Sequence, residues 1–256
     1  MFNPITRRVA IALLATTVLT PAFAGEVPGP EPVPFRNVRA VIELFTSQGC
    51  SSCPPADVVL KDYAAKDDII ALSLPVDYWD YIGWKDTLAS PKNTERQRAY
   101  AKSLGSGSIY TPQAVVNGVT HAVGSNRMEL ERAIDKSETT FARRRIPIRF
   151  SREGGRFLIE TGSAPAGSTI EEAAIWIAVM RKAAPVAIKR GENSGKTVTY
   201  TNVVHEMIPA GSWKGKPSAT SITVQSNIDP DADDVVVLLQ EGQGSGAIVG
   251  AAWLNR

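Results

Sequence analysis

The chain has two cysteines, Cys50 and Cys53, set three positions apart as Cys-Ser-Ser-Cys. Two sulfurs at that spacing can staple the backbone, hold a soft metal, or cycle between dithiol and disulfide. As a staple the pair is weak: closing a loop of about four residues is worth about 2 kcal/mol in the chain-entropy account, well below the return from loops of tens of residues. Position favours cycling. The motif follows an apolar run, Val38–Phe45, and precedes a helical stretch, Asp57–Lys66. Backbone N–H groups at a helix start favour a thiolate, and a second sulfur within reach resolves a mixed disulfide. The residues therefore point to thiol–disulfide exchange.

The elements that must hold this pair alternate in type. Val38–Phe45 and Ile69–Val76 read as buried strands of a mainly parallel sheet with a helix between them. Residues 91–104 begin with Pro91 and are followed by Gly105, a helix start and stop. Ala114–Asn117 and Thr120–Val123 flank Gly118 as a hairpin would, and Ser125 or Asn126 caps a helix over Arg127–Glu138. Beyond Arg145 the pattern changes. β-rich runs recur about every ten residues: Ile146–Phe150, Arg156–Glu160, Ala173–Arg181, Val186–Arg190, Thr197–His205, Ser221–Ser226, Val235–Gln240 and Ala247–Leu254. Their spacing suggests a sandwich of two antiparallel sheets. Thr169–Ala178 also contains helix formers, and a strand is expected there from Ile175 on.

Composition sets the outer limits. With 256 residues, 43% hydrophobic and 21% charged, the chain is globular and long enough for one large domain or two modest ones. It has 28 basic and 26 acidic side chains, and the two balance once Arg7 and Arg8 are set aside. A neutral chain without basic clusters makes nucleic acid a poor partner. Arg7-Arg8, the apolar run Val9–Leu19 and Ala22-Phe23-Ala24 form a secretory signal pattern over residues 1–24. The run is about half the roughly 20 residues that a membrane-spanning helix needs. A mature protein in the periplasm or outside the cell, without stable membrane insertion, is expected. Residues 25–37, with Pro28, Pro30, Pro32 and Pro34, read as an extended linker.

The segments Glu43–Asp57 (ELFTSQGCSSCPPAD) and Tyr110-Thr111-Pro112-Gln113 resemble the thioredoxin superfamily. With Val76–Asp86 (VDYWDYIGWKD) and Gly191-Glu192-Asn193, nearly the whole mature chain is similar to the secreted family catalogued as domain of unknown function 1223. The resemblance implies an α/β thioredoxin-like domain over 38–144, followed by a mainly β, sandwich-like domain over 145–256. It also implies a nucleophilic Cys50, a resolving Cys53 and a cis Pro112 beside them. The narrow family brings no substrate. A trans proline opening a strand is the plainer alternative for Pro112. Two prolines after Cys53 should delay the helix to about Cys53. Asp57 in the first turn adds a charge opposing a nearby thiolate, and the Ser51 and Ser52 hydroxyls can offset it.

Thioredoxins keep a buried acid near the resolving thiol, and Glu43 is the candidate here; otherwise it is a strand-face carboxylate bonded to loop backbone. Thr111, Tyr78, Trp79 and Trp84 are candidate walls for a peptide substrate, although clustered aromatics are more often core. His121 and His205 belong to different predicted domains, and no metal or cofactor is expected. Glu192 and Asn193 sit in a turn-like GENSG stretch where Asn and Gly suit positive φ. Protein thiols or disulfides, or a redox partner protein, are the expected partners. The leading reading is a thiol–disulfide oxidoreductase. The alternative is a non-catalytic binding module of the cell envelope with an inert disulfide, and a two-thiolate metal carrier is the third.

Overall fold

The computed structural model describes residues 38–153, 155–223, 233–242 and 244–254. The expected signal segment and proline-rich linker lie outside the described residues. Strand β1 (Ala40–Thr46) is buried at every position, as a strand with both faces covered should be. It leads through the cysteine turn into helix α1 (Pro54–Ala64) and on to β2 (Ile69–Pro75), which lies parallel to β1. A short 3-10 turn (Asp80–Ile82) and α2 (Pro91–Ser103) follow. Next come β3 (Gln113–Val116) and β4 (Thr120–Val123), antiparallel to each other, and α3 (Arg127–Arg144). Strand β3 runs antiparallel to β1, with Gln113 opposite Phe45.

The two faces of β1 serve different layers. Ile42 and Leu44 pack with Ala56, Val59 and Leu60 of α1 and with Leu130 and Ile134 of α3. Val41 and Phe45 point the other way, into a cluster containing Tyr100 of α2.

The second half is all strand among the described residues: β5 (Ile148–Glu153), β6 (Arg156–Thr161), β7 (Ala173–Ala187), β8 (Thr197–Trp213), β9 (Ser218–Ile222), β10 (Asp233–Gln240) and β11 (Ile248–Trp253). They do not make a separate sandwich beside the first half. Strands β11-β10-β7-β8 continue directly into β2-β1-β3-β4 as one eight-stranded sheet, and β5-β6-β9 form a second sheet of three. The second sheet packs Phe150, Phe157 and Ile159 onto Ile175, Ile177, Val237 and Leu239. A two-layer β arrangement is therefore present, but one of its layers is shared with the α/β half. The described residues from 38 to 254 form one compact unit, so the composition change near 145 marks a change of connection type and not a domain boundary. The physical reason is a common core: Leu72 and Leu74 of β2 share a cluster with Met180, Val204 and Leu238.

Two strands are longer than their sequence signals, and the expected separate strand Val186–Arg190 is not formed, its first two residues ending β7. Strand β7 runs through Pro185, and β8 runs through Pro209. Among the described residues β7 beyond Arg181 pairs with β8 alone and no longer with β10, and Pro185 falls in this two-stranded stretch. The helix formers at Glu171–Ala174 do not prevail either, since β7 begins at Ala173.

Candidate functional site

Cys50 and Cys53 are joined by a disulfide at the corner between β1 and α1. The helix starts at Pro54 with Cys53 as its N-cap, and both prolines occupy its first positions, where a missing N–H costs nothing. Cys53 itself holds α-region dihedrals in spite of the proline that follows, fixed by bonds from Cys53 N to Cys50 O and from Ala56 N to Cys53 O. The Cys50 sulfur lies 3.4 Å from the Ser52 hydroxyl. Ser51 and Ser52 are exposed, whereas Cys50 and Cys53 are only 1% and 0% exposed.

Two segments close over the pair. One is the stretch around the 3-10 turn. A Cβ placed on Gly49 would stand 3.1 Å from Ile82 Cδ1 and 3.2 Å from Trp79 Cβ, so a side chain before Cys50 would press on both. The other is the loop between β7 and β8. Asn193, fully buried, donates from Nδ2 to Gln48 O and to Cys50 O, both at 2.9 Å, and accepts from Lys196 Nζ on its Oδ1. Ser51 N donates to Glu192 Oε2 at 3.2 Å. Gly191, at φ +75°, leans on Trp84 with only 3.2 Å from its Cβ position to Trp84 Cβ, so the two covers touch.

The candidate residues divide. The Thr111-Pro112 peptide is cis, and β3 carries it alongside the end of β1 at Thr46. Trp79 donates from Nε1 to Thr111 Oγ1 at 2.7 Å and stacks on Tyr81, which is 80% exposed. Trp79, Tyr81 and Thr111 thus form a ledge beside the cysteine turn. Trp84 does not join it: its Nε1 donates to Gln48 Oε1 and braces the loop before Cys50. Tyr78 packs against the core cluster.

Glu43 is a correction. It is fully buried, but on the face of β1 turned away from α1. There it takes Arg96 Nε on Oε1 at 2.6 Å and the Tyr100 hydroxyl on Oε2. Arg96 also reaches Gly244 O and Gln240 Oε1, so the network ties α2 to the β-rich half and has no access to the sulfurs.

The buried carboxyl on the α1 side of β1 is Asp57. It lies one helical turn past Cys53, on the same side of α1. It is 4% exposed, with Oδ1 accepting from Thr46 Oγ1 at 2.9 Å and Oδ2 without a hydrogen-bond partner. Burial pushes its carboxyl up to about 8, aided by the charge of Asp86 and opposed by the Thr46 bond. The sequence suggested only a first-turn negative charge at Asp57 opposing a nearby thiolate. The available signal was its position among Ala56, Val59 and Leu60, all facing the sheet. Asp86 is likewise raised by burial, and backbone N–H groups of Gln48 and Leu88 hold it down in part.

His121 meets the Tyr110 hydroxyl on β4, and His205 faces Asp233 from β8. Among the described residues no three His, Cys, Asp or Glu side chains converge as a metal would require.

The fold and the site define a mixed α/β protein with a disulfide-bonded Cys-x-x-Cys pair at a strand-to-helix corner. The chain belongs to the family described as Protein of unknown function (DUF1223), whose model matches residues 41–240. It is similar to the crystal structure of protein AGR_C_4864 from Agrobacterium tumefaciens, at 34% identity and TM-score 0.74, over 85% of this chain and 94% of that one. HBP35 of Porphyromonas gingivalis shares the fold at 12% identity and TM-score 0.56, over 86% of this chain and 75% of that one. No curated protein matches the chain.

Proposed function

We propose that this protein is a thiol–disulfide oxidoreductase of thioredoxin-like build, working on protein dithiols or disulfides in the periplasm or outside the cell. The observation that carries the reading is a Cys-x-x-Cys disulfide at a helix start, with the buried Asp57 carboxyl one helical turn further along α1. The order β2-β1-β3-β4, with α1 and α3 on one face and α2 on the other, and the cis peptide before Pro112, support the thioredoxin-like assignment. The signal-type N-terminus supports the location.

In the proposed step a partner thiolate attacks Cys50 Sγ. The Cys50–Cys53 bond breaks and its electron pair leaves on Cys53, which takes the proton held by Asp57. A second partner thiolate then attacks the partner's own sulfur in the mixed disulfide and expels Cys50 as thiolate. Two electrons have moved to the pair, and the partner leaves as a disulfide. The reverse sequence reduces a partner disulfide, and relative potentials set the direction. The ledge of Trp79, Tyr81 and Thr111 would seat the partner chain.

Burial of both sulfurs favours a second reading, a binding module with an inert bridge. A Cys53→Ser variant separates the two. An oxidoreductase accumulates mixed disulfides with a model dithiol protein such as reduced ribonuclease, and its Cys50 alkylates with an apparent pKa below that of free cysteine. A binding module does neither.

A further inference from the structure

We propose that the β7–β8 loop is a selectivity latch over the sulfur pair, with Asn193 as its catch and Glu192 as its second hold. The inference rests on the redox reading above and concerns which thiols reach Cys50. An attacking thiolate must approach Cys50 Sγ from the side opposite Cys53, and Cys50 is 1% exposed. Reaction at that sulfur therefore requires one of its covers to leave. The stretch around the 3-10 turn is pinned by several side-chain bonds: Asp86 N to Asp80 Oδ1, Trp84 Nε1 to Gln48 Oε1 and Trp79 Nε1 to Thr111 Oγ1. The loop is held to the cysteine turn through two side chains only among the described contacts, Asn193 and Glu192.

The loop is also built to move as a piece. Its internal bonds are local, from Ser194 N to Gly191 O, from Lys196 N to Asn193 O and from Gly195 N to Ile188 O, and none of them is lost if the tip lifts. It ends a ribbon of β7 and β8 that, among the described residues, has no third strand next to Ala183–Ala187. A ribbon two strands wide is the least stable form of sheet.

Lifting the tip frees the Gln48 carbonyl, removes one of the two hydrogen bonds to Cys50 O, which keeps the one from Cys53 N, and frees one backbone donor, Ser51 N. An extended polypeptide offers donors and acceptors along its own backbone and can take over these bonds. A small monothiol or dithiol cannot. The geometry thus selects for peptide-borne thiols lying along the cysteine turn beside Thr111, and against small thiols, which must wait for spontaneous opening.

The test is the rate at which dithiothreitol reduces Cys50–Cys53 in the full mature protein, followed by alkylation and mass. In wild type the observed rate should level off as dithiothreitol is raised, because opening becomes limiting. Asn193→Ala should reduce at least tenfold faster and Glu192→Ala several-fold faster, with the gain falling away for a cysteine-containing peptide. Glu192 is exposed, so its variant stands even where loss of the buried Asn193 amide harms folding. A wild-type rate that stays linear in dithiothreitol, or equal dithiothreitol rates in wild type and Glu192→Ala, overturns the latch. Those kinetics need no protein substrate. Absence of mixed disulfides in Cys53→Ser would end the redox reading and leave the latch measurement intact.

Discussion

Replacing Asp57 by Asn tests the chemistry at its centre. Burial raises this carboxyl from 3.8 to about 8. An acid whose value is higher in the folded chain keeps its proton there after the unfolded chain has lost it, so the fold is favoured fully at low pH and less as pH climbs between those two values. At about 1.36 kcal/mol per pH unit, the wild type forfeits on the order of 4 kcal/mol by pH 7. Asparagine does not titrate and can still accept from Thr46 Oγ1 through its own Oδ1. Urea unfolding of the disulfide form of both proteins from pH 4 to pH 8 gives the comparison. Plotting Asp57→Asn minus wild type cancels the groups that do not interact with Asp57 and leaves Asp57 with its coupling to Asp86. The difference should climb by about 1 kcal/mol per pH unit in favour of the variant. A flat difference would mean that Asp57 ionises normally, and the case for it as a proton store behind Cys53 would be lost. At dithiothreitol concentrations below the plateau, where the chemical step still contributes to the rate, the same variant should be reduced about a hundredfold more slowly at pH 7, the usual scale for a lost general acid. More stable and less reactive is the expected pairing.

Three further substitutions probe the surroundings. Arg96→Met strands the Glu43 carboxylate in the core and should cost about 3 to 5 kcal/mol in urea unfolding, while the alkylation profile of reduced Cys50 stays as in wild type because Glu43 faces the other side of β1. Trp79→Phe keeps a ring on the ledge but drops the bond to Thr111 Oγ1; a loss of about 1 kcal/mol should appear as a several-fold rise in KM for a peptide disulfide with kcat little changed. Gly124→Ala puts a methyl 2.5 Å from Leu44 Cδ1 and near Pro112 Cβ, and a lower thermal midpoint worth about 1 to 3 kcal/mol is expected.

Much of the α/β half was legible in the sequence because its signals are local. Pro91 and Gly105 bracket α2, Asn126 caps α3 by accepting from Glu129 N, and the alternation of β1, α1 and β2 needs only neighbouring residues. The Glu43 assignment failed for a physical reason. Alternation along β1 tells that Glu43 shares a face with Val41 and Phe45, but with both faces buried the pattern cannot say which one α1 covers. Asn193 was read as a turn residue suited to positive φ. The positive φ values in that loop fall on Gly191 and Gly195, and the buried amide of Asn193 bonds to Cys50 across 143 positions, a separation at which no local pattern carries information. The division at 145 misled in the same way, since strand periodicity does not reveal that β8 will lie beside β2.

That seam, where Ser73 meets Val203 and Asn202 Nδ2 donates to Ala71 O, governs how the molecule comes apart. Cut at Arg144, the front portion would leave Leu72 and Leu74 without Met180, Val204 and Leu238 to cover them and should aggregate. Warming the intact chain should accordingly yield a single endotherm, since neither portion has a complete interior of its own.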